Sequence, residues 1–164
     1  MYFDKFPYTV YSLDDRESVQ LIKDIFRRIT LDESIKNNSS LFDEYDVREG
    51  ETPERIADKY YGDTTYHWVV LHVNDIIDPR YDWPLTTYQL EQYVISKYGL
   101  ANVQATHHWE DSSGNWVNSN YPSATAVSNF NYEEDINENK RRIKILKPKY
   151  LTALETEFDS KIKL

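Results

Sequence analysis

The chain has 164 residues, a formal net charge of −9 at pH 7 and no cysteine. It therefore has no disulfide framework, no thiolate ligand for a metal and no cysteine nucleophile. Its negative charge argues against nucleic acid and anionic membranes as partners, because both are bound through basic patches. No run of about 18 apolar residues predicts a membrane-spanning helix, and no basic segment leading into an apolar one predicts a secretory signal. We expect a soluble protein made in a cytoplasm.

Aromatic side chains are the notable excess, with 14 Tyr and 4 Trp against only 4 Gly. Tyrosine and tryptophan offer a large contact area with a polar tip, and they are enriched at protein interfaces. A small domain that uses tyrosine in its core would have the same composition. Composition alone therefore leaves an interface role and a core role equally open.

The N-terminal segment, residues 1–18, alternates aromatic and polar side chains around Pro7. This pattern suits an extended arm better than a helix. Residues 19–30 place apolar side chains at helical spacing, but their β-branched content keeps a strand open as well. Asp32 is placed to cap a short helix that runs through Ile35.

The stretch 45–79 carries the densest set of structural signals. A short alternating segment from Tyr45 predicts a strand, and Gly50 interrupts it. Thr52 then serves as the N-cap of a helix with Pro53 at its first position. Gly62 has the usual place of a C-cap. A second helix follows, with one face predicted to contain Trp68, Val69, His72 and Val73 and with Asn74 at its end.

Residues 80–139 read as an elaboration of this unit. Thr86 or Thr87 is predicted to cap a third helix that Gly99 ends, with a face formed by Leu90, Tyr93, Val94 and Tyr98. Residues 101–118 predict a β-hairpin with its turn at 111–115. Residues 118–131 are predicted to form a loop, and the acidic segment 132–139 to end at a turn.

Near the C-terminus, residues 142–147 alternate and end at Pro148, which predicts a strand. A single strand leaves its edge open, so we predict that this segment pairs with residues 45–48. A last helix is predicted over 150–162, with a face formed by Leu151, Leu154, Glu155 and Phe158.

The order of these signals resembles the LysM module, through Gly50-Glu51-Thr52 and Asn74. The combination of Tyr61-Gly62-Asp63, Tyr66-His67-Trp68 and Asp78-Pro79 is more particular. It is similar to the LysM-containing baseplate wedge proteins of T-even-like contractile-tailed bacteriophages. Segments 24–28 and 137–145 extend the similarity.

This resemblance implies an α+β fold. Its LysM-like βααβ core would have the second strand displaced by an inserted helix and β-hairpin. The predicted divisions are 1–40, an N-terminal arm with a helix or strand segment; 41–79, the first LysM-like half; 80–139, the insertion; and 140–164, the closing strand and C-terminal helix.

The resemblance also implies a function without chemistry. The chain would be a structural component of the virion tail baseplate, assembled in the host cytoplasm. It would link neighbouring wedges around the hub by contacting other wedge proteins, and it would need no cofactor, nucleic acid, membrane or small-molecule substrate. We expect the aromatic side chains of the arm and hairpin to make these contacts, namely Phe3, Phe6, Tyr8, Tyr11, Trp109 and Trp116.

The alternative is a LysM module that binds a cell-wall polysaccharide containing N-acetylglucosamine. In sugar-binding LysM modules the groove lies between two loops, which match Gly50, Glu51, Thr52, Asn74, Asp75 and Ile76 here. Thr52 and Asn74 also have a purely structural explanation as a helix cap and a helix stop. In addition, Tyr81 and Trp83 follow the second loop closely and are expected to crowd a bound sugar.

The remaining candidates for chemistry are weak. His107 and His108 are adjacent on a predicted strand and should point to opposite faces, so no metal site is expected. The acidic pair Glu133-Glu134 suits a solvated surface better than a glycosidase cleft. Neither a nucleophile elbow nor a phosphate-binding glycine loop is present. No catalytic residue is predicted.

Overall fold

The computed structural model describes residues 5–12, 19–27 and 29–162. Within this part the fold is α+β, as predicted. The strands are β1 (Tyr8–Ser12), β2 (Val19–Lys23), β3 (Phe42–Asp46), β4 (Thr106–Glu110), β5 (Trp116–Val117), β6 (Thr125–Ser128) and β7 (Arg142–Leu146). The α-helices are α1 (Glu33–Lys36), α2 (Pro53–Tyr61), α3 (His67–Val73), α4 (Pro79–Asp82), α5 (Thr87–Tyr98), α6 (Asn129–Asn139) and α7 (Leu151–Ile162). None of these helices is long and apolar enough to cross a bilayer.

The strands form three small sheets, with the orders β1-β2, β3-β7 and β5-β4-β6. The second sheet contains the predicted pairing of distant segments. Backbone hydrogen bonds extend it at both ends, from Lys147 to Leu41 and from Val47 to Arg141, so the two strands are antiparallel. Its first strand begins at Phe42, three residues before the predicted start.

The chain forms two compact units. The first comprises Met1–Glu44, Thr52–Ile77 and Lys144–Leu164, and the second comprises Tyr45–Glu51 and Asp78–Ile143. Each unit thus contains segments that are far apart in sequence. The short segment Tyr45–Glu51 belongs to the second unit together with Asp78–Ile143. The division into segments 1–40, 41–79, 80–139 and 140–164 stays a prediction.

The core of the first unit is centred on α3 and α7. The ring of Phe158 is 2% exposed and lies 4.8 Å from the ring of Trp68 and 6.3 Å from that of Phe6. The other buried residues of this cluster are apolar: Leu31, Phe42, Val69, Val73, Leu146, Leu154 and Ile162. The predicted face of the last helix is correct for Leu154 and Phe158, whereas Glu155 forms an ion pair with Lys5 at its edge.

Local signals explain how α2 begins and ends. The Thr52 hydroxyl accepts a hydrogen bond from the backbone N–H of Arg55, and Pro53 occupies the first turn. Gly62 ends the helix at φ +73°, a left-handed conformation that glycine adopts without a Cβ clash. Both predicted caps are confirmed.

Asn74, at the end of α3, joins that helix to β7. Its amide oxygen accepts from the backbone N–H of Lys144, and its amide nitrogen donates to the Lys144 carbonyl, both at 2.8 Å. The same nitrogen also donates to the carbonyl of Val70. One side chain therefore satisfies backbone groups of a helix and a strand that are 70 residues apart in sequence.

We expect the substitution Asn74→Ala to lower the free energy of unfolding by about 1–3 kcal/mol, since it leaves backbone groups without their partners. Asn139→Ala is the matched control, because Asn139 is exposed at the end of α6. Urea unfolding measures both. Equal midpoints for the two variants would contradict this role of Asn74.

His72 introduces a pH dependence into the first unit. Its Nε2 is buried and finds no hydrogen-bond partner among the described residues. Burial lowers the pKa of His72 below its ordinary value of 6.5. The unfolded chain therefore binds a proton more readily than the folded one once the pH falls below 6.5.

This difference predicts that stability falls as the pH is lowered through that window, because the linkage favours the state that binds more protons. His72→Leu should flatten the decline, and thermal unfolding of both proteins at a series of pH values measures it. A slope below pH 6.5 that is the same in wild type and variant would contradict the prediction.

The second unit is stabilised by polar contacts to the backbone as well as by apolar packing. The indole N–H of Trp83 donates to the carbonyl of Glu51 at 2.9 Å. Asn137 bonds both the N–H and the carbonyl of Leu85. Thr86 and Gln89 form the capping box that starts α5, which confirms the predicted cap.

Two elements of the second unit differ from the sequence predictions. The predicted loop at 118–131 contains β6, which pairs with β4 and gives the predicted hairpin a third strand. The acidic segment 132–139 belongs to α6, whose N-cap is Ser128. The hairpin predicted within 101–118 is confirmed, with its first strand beginning at Thr106.

The N-terminal segment also differs from the prediction. Its described strand, Tyr8–Ser12, is extended as predicted, but it pairs with β2 in an antiparallel sheet, with Val10 opposite Leu21. An extended arm was predicted because the sequence does not show which segment pairs with it. The ambiguous segment 19–30 therefore contains a strand, and α1 begins after Asp32 as expected, although the Asp32 side chain makes no capping bond.

Candidate interaction surfaces

The β1-β2 hairpin carries several exposed apolar side chains near the N-terminus. Its antiparallel register places alternate residues on one face, because successive side chains of a strand point to opposite sides. On that face Tyr8, Val10, Val19 and Leu21 are 61%, 63%, 62% and 68% exposed. We call these four residues the hairpin face.

The surroundings of the hairpin face extend its apolar character. Ile25 and Phe26 follow β2 directly and are 57% and 85% exposed. Lys23 anchors the hairpin, since its ammonium bonds the carbonyl of Phe6 at 2.9 Å and lies 4.3 Å from the Tyr8 ring centre. Among the described residues the sheet has only two strands, so its outer edges have no strand partner.

The predicted contact residues lie in different environments. Phe3 lies outside the described residues. Phe6 is 3% exposed and belongs to the core of the first unit, so its side chain has little surface for a partner. Tyr8 and Tyr11 are exposed. Sequence reasoning missed the aliphatic members of the hairpin face, which alternation in both strands would have identified once the pairing was known.

The two predicted tryptophans lie in the sheet of the second unit. Trp109 is half-buried on β4, whereas Trp116 on β5 is 63% exposed. The Trp116 ring stacks on the imidazole of His108 at 4.1 Å. The imidazole of His108, on the neighbouring strand, thus holds the Trp116 ring in place and leaves its other face exposed.

The expected opposite orientation of His107 and His108 is wrong. A β-bulge between Thr106 and His108 breaks the alternation of β4 and re-aims its side chains. As a result the Nδ1 atoms of the two imidazoles lie 2.9 Å apart, and His108 Nε2 lies 2.7 Å from Glu110. Within the described residues, no group of three or more His, Asp or Glu side chains is placed to hold a metal ion.

Glu133 is a buried charged group of the second unit. Burial alone would raise its pKa, but hydrogen bonds from Lys97 at 2.6 Å and Tyr98 at 2.7 Å lower the pKa overall. The hydrogen bond to Glu133 raises the pKa of Lys97 in turn. The pair therefore stays ionised at neutral pH and connects α5 to α6.

Of the residues that match a LysM sugar groove, three have structural partners around the start of α2. Gly50 has φ +69°, which accounts for glycine at this turn. The Glu51 carboxylate accepts hydrogen bonds from the Tyr45 hydroxyl and from the Arg48 backbone. Thr52 caps α2.

The other three matching residues lie after α3. The amide of Asn74 is used by the backbone of Lys144. Asp75 has φ +55° and accepts two hydrogen bonds from the Lys36 ammonium, at 2.6 and 2.8 Å. The N–H of Ile76 bonds the carbonyl of Leu71. These polar groups are thus engaged within the first unit itself.

Comparison with known families identifies the group to which the chain belongs. The model of the family described as Base plate wedge protein 53 matches residues 1–123, well over half of the chain. The chain belongs to this family. Its place is accordingly the tail baseplate of a phage virion.

One curated protein similar to this chain is the "Baseplate wedge protein gp53" of Enterobacteria phage T4. The two sequences are 29% identical over 75 residues, which are 45% of this chain and 38% of the relative. The chain thus matches well under two thirds of the relative's length.

Proposed function

We propose that this protein is a structural component of the baseplate that links neighbouring wedges around the hub through protein–protein contacts. The observation that carries the proposal is the hairpin face, where Tyr8, Val10, Val19 and Leu21 share one exposed surface. Membership of the baseplate wedge family supports the structural role.

Burial of the hairpin face would supply useful binding free energy. Complete burial of one large apolar side chain is worth about 1.5–3 kcal/mol. Four such side chains on one face of the two-stranded sheet form a compact anchor, and the neighbouring Phe26 widens it. Within the described part of the chain no third strand pairs with β1 or β2, so a partner strand can add to an edge of this sheet.

A second contact is proposed at Trp116. Trp109 is opposite Val117 in the register, so it lies on the other face of the sheet and is a separate candidate contact. Stacking on His108 holds the exposed indole of Trp116 in one orientation, so little conformational entropy is lost when a partner covers it. Two contacts on one chain let it join two surfaces, and tethering raises the effective concentration of the second contact once the first has formed.

No specific observation favours the polysaccharide alternative. A sugar would require free polar groups, whereas Asn74 and Asp75 already bond Lys144 and Lys36. The carbonyl of Glu51 likewise accepts a hydrogen bond from the indole N–H of Trp83. The proposed role is therefore contact between proteins.

The linking role can be tested in cells infected by a phage that does not make this protein. We expect such cells to accumulate separate wedges, and wild-type protein supplied from a plasmid to restore closed baseplates. Sedimentation of the lysate distinguishes wedges from baseplates. Closed baseplates that form equally well without the protein would contradict the role.

A further inference from the structure

The second unit contains a groove between α5 and α6 with a volume of about 490 Å³. It lies apart in sequence from the hairpin and its lining includes no predicted contact residue. Its apolar lining is formed by Leu85, Leu90, Tyr81, Tyr93 and Ile136. A groove of this size has room for one or two side chains of a partner.

Polar contacts at both ends of the groove join the two helices that form it. At one end the Lys97 ammonium bonds the buried carboxylate of Glu133 at 2.6 Å. At the other end the Asn137 amide bonds the backbone of Leu85 in both directions. These contacts join the end of α5 to the start of α6 and the start of α5 to the end of α6, so the two helices are antiparallel.

The apolar walls of the groove are accessible. Leu90, at the base, is 4% exposed, whereas Ile136, Tyr93 and Tyr81 are 37%, 41% and 69% exposed. Ile136, Glu133 and Asn137 fall on one face of α6, at spacings of three and four residues. An isoleucine on that face would gain by being covered.

The charge of the lining is opposite in sign to that of the chain. Arg80, Lys97 and Lys140 line the groove with a single acid, Glu133, while the whole chain has a net charge of −9. Lys97 is paired with Glu133, and Arg80 with Asp78. Lys140 bonds the carbonyl of Tyr81 at 2.6 Å and forms no ion pair with any described residue.

We propose that this groove binds an acidic segment of a partner protein, with an apolar side chain between Tyr93 and Ile136 and a carboxylate on Lys140. The lining selects that chemistry. A basic segment would meet Lys140 and Arg80, and a wholly apolar segment would desolvate the Lys140 ammonium without giving it a counter-charge. The inference assumes that a protein partner exists, as in the proposed function, but it does not depend on the hairpin face.

Binding can be measured on the full chain with two short probe peptides, N-acetylated and C-amidated. One has the sequence Glu-Leu-Phe-Glu and the other Lys-Leu-Phe-Lys. NMR should detect perturbation of the Ile136 methyl groups by the acidic peptide, with a dissociation constant of about 1 mM, as expected of so small a ligand. The basic peptide should bind at least about tenfold more weakly, because of the positive lining.

Variants assign the two parts of the site. Lys140→Gln should remove most of the preference for the acidic peptide, whereas the exposed Lys149→Gln should leave it unchanged. Ile136→Asp should abolish binding of the acidic peptide. Equal binding of both peptides, shifts confined to other residues, or no shift up to about 5 mM would overturn the proposal. None of these outcomes depends on whether the protein links wedges, so failure of the groove and failure of the proposed function are distinguishable.

Discussion

Leu21→Asp is expected to exclude the protein from baseplates while leaving the isolated chain folded. Leu21 is 68% exposed, so the substitution should change the free energy of unfolding by less than about 0.5 kcal/mol. In an assembled baseplate the same aspartate would be buried against an apolar partner. An unpaired buried charge costs about 3–5 kcal/mol, which corresponds to a loss of affinity on the order of 100- to 4000-fold.

The measurement is the amount of protein that cosediments with baseplates when the variant is supplied to a phage lacking its own copy. Leu100→Asp is the matched control, because Leu100 is 75% exposed on the second unit and lies outside the hairpin face and the groove. A point substitution is sharper than deletion of the N-terminal arm, since Phe6 belongs to the core. If the Leu21→Asp variant enters baseplates at the level of the control, the hairpin face is not a contact surface.

Phe158→Ala is expected to have the largest effect on stability. The ring is 2% exposed and lies within 6.3 Å of the rings of Phe6, Trp68 and His72. Removal of such a ring leaves a cavity and costs about 3–5 kcal/mol. For a protein of this size that loss lowers the midpoint of thermal unfolding by roughly 6–20 °C.

Calorimetry or circular dichroism measures this shift, and Phe26→Ala provides the control because Phe26 is 85% exposed. The control should unfold within about 2 °C of the wild type. A similar midpoint for both variants would show that the ring cluster does not stabilise the first unit.

Much of the fold could be predicted from the sequence where local chemistry decides the structure. Thr52 and Gly62 fix the ends of α2, and Thr86 with Gln89 fixes the start of α5. These residues act on backbone groups within four positions, so their effect does not depend on distant contacts. The pairing of β3 with β7 was predictable because a lone strand requires a partner.

The helix α6 could not be predicted from hydrophobic periodicity, because its buried face is polar. Asn129, Glu133 and Asn137 are each less than 10% exposed and recur every four residues. Their partners, the Asn102 carbonyl, the Lys97 ammonium and the Leu85 backbone, come from distant segments. The spacing of four was visible in the sequence, but a polar stripe ordinarily indicates an exposed helix face.

The candidate surfaces were predictable only in part. The aromatic content of the arm drew attention to Tyr8 and Tyr11, which are exposed and stay proposed contact residues. It also included Phe6, which is buried, because alternation within one strand does not indicate which side faces the core. Val10 and Leu21 become neighbours only through the register of the hairpin. The bulge that brings His107 and His108 together has no clear signal in the sequence.

In the assembled baseplate we expect the β1-β2 hairpin to contact a neighbouring protein through its hairpin face. A reconstruction of the native baseplate at side-chain resolution tests it most directly. We predict that another protein chain covers Tyr8, Val10, Val19 and Leu21. A map in which these four side chains remain open to solvent would show that the hairpin face is not a contact surface.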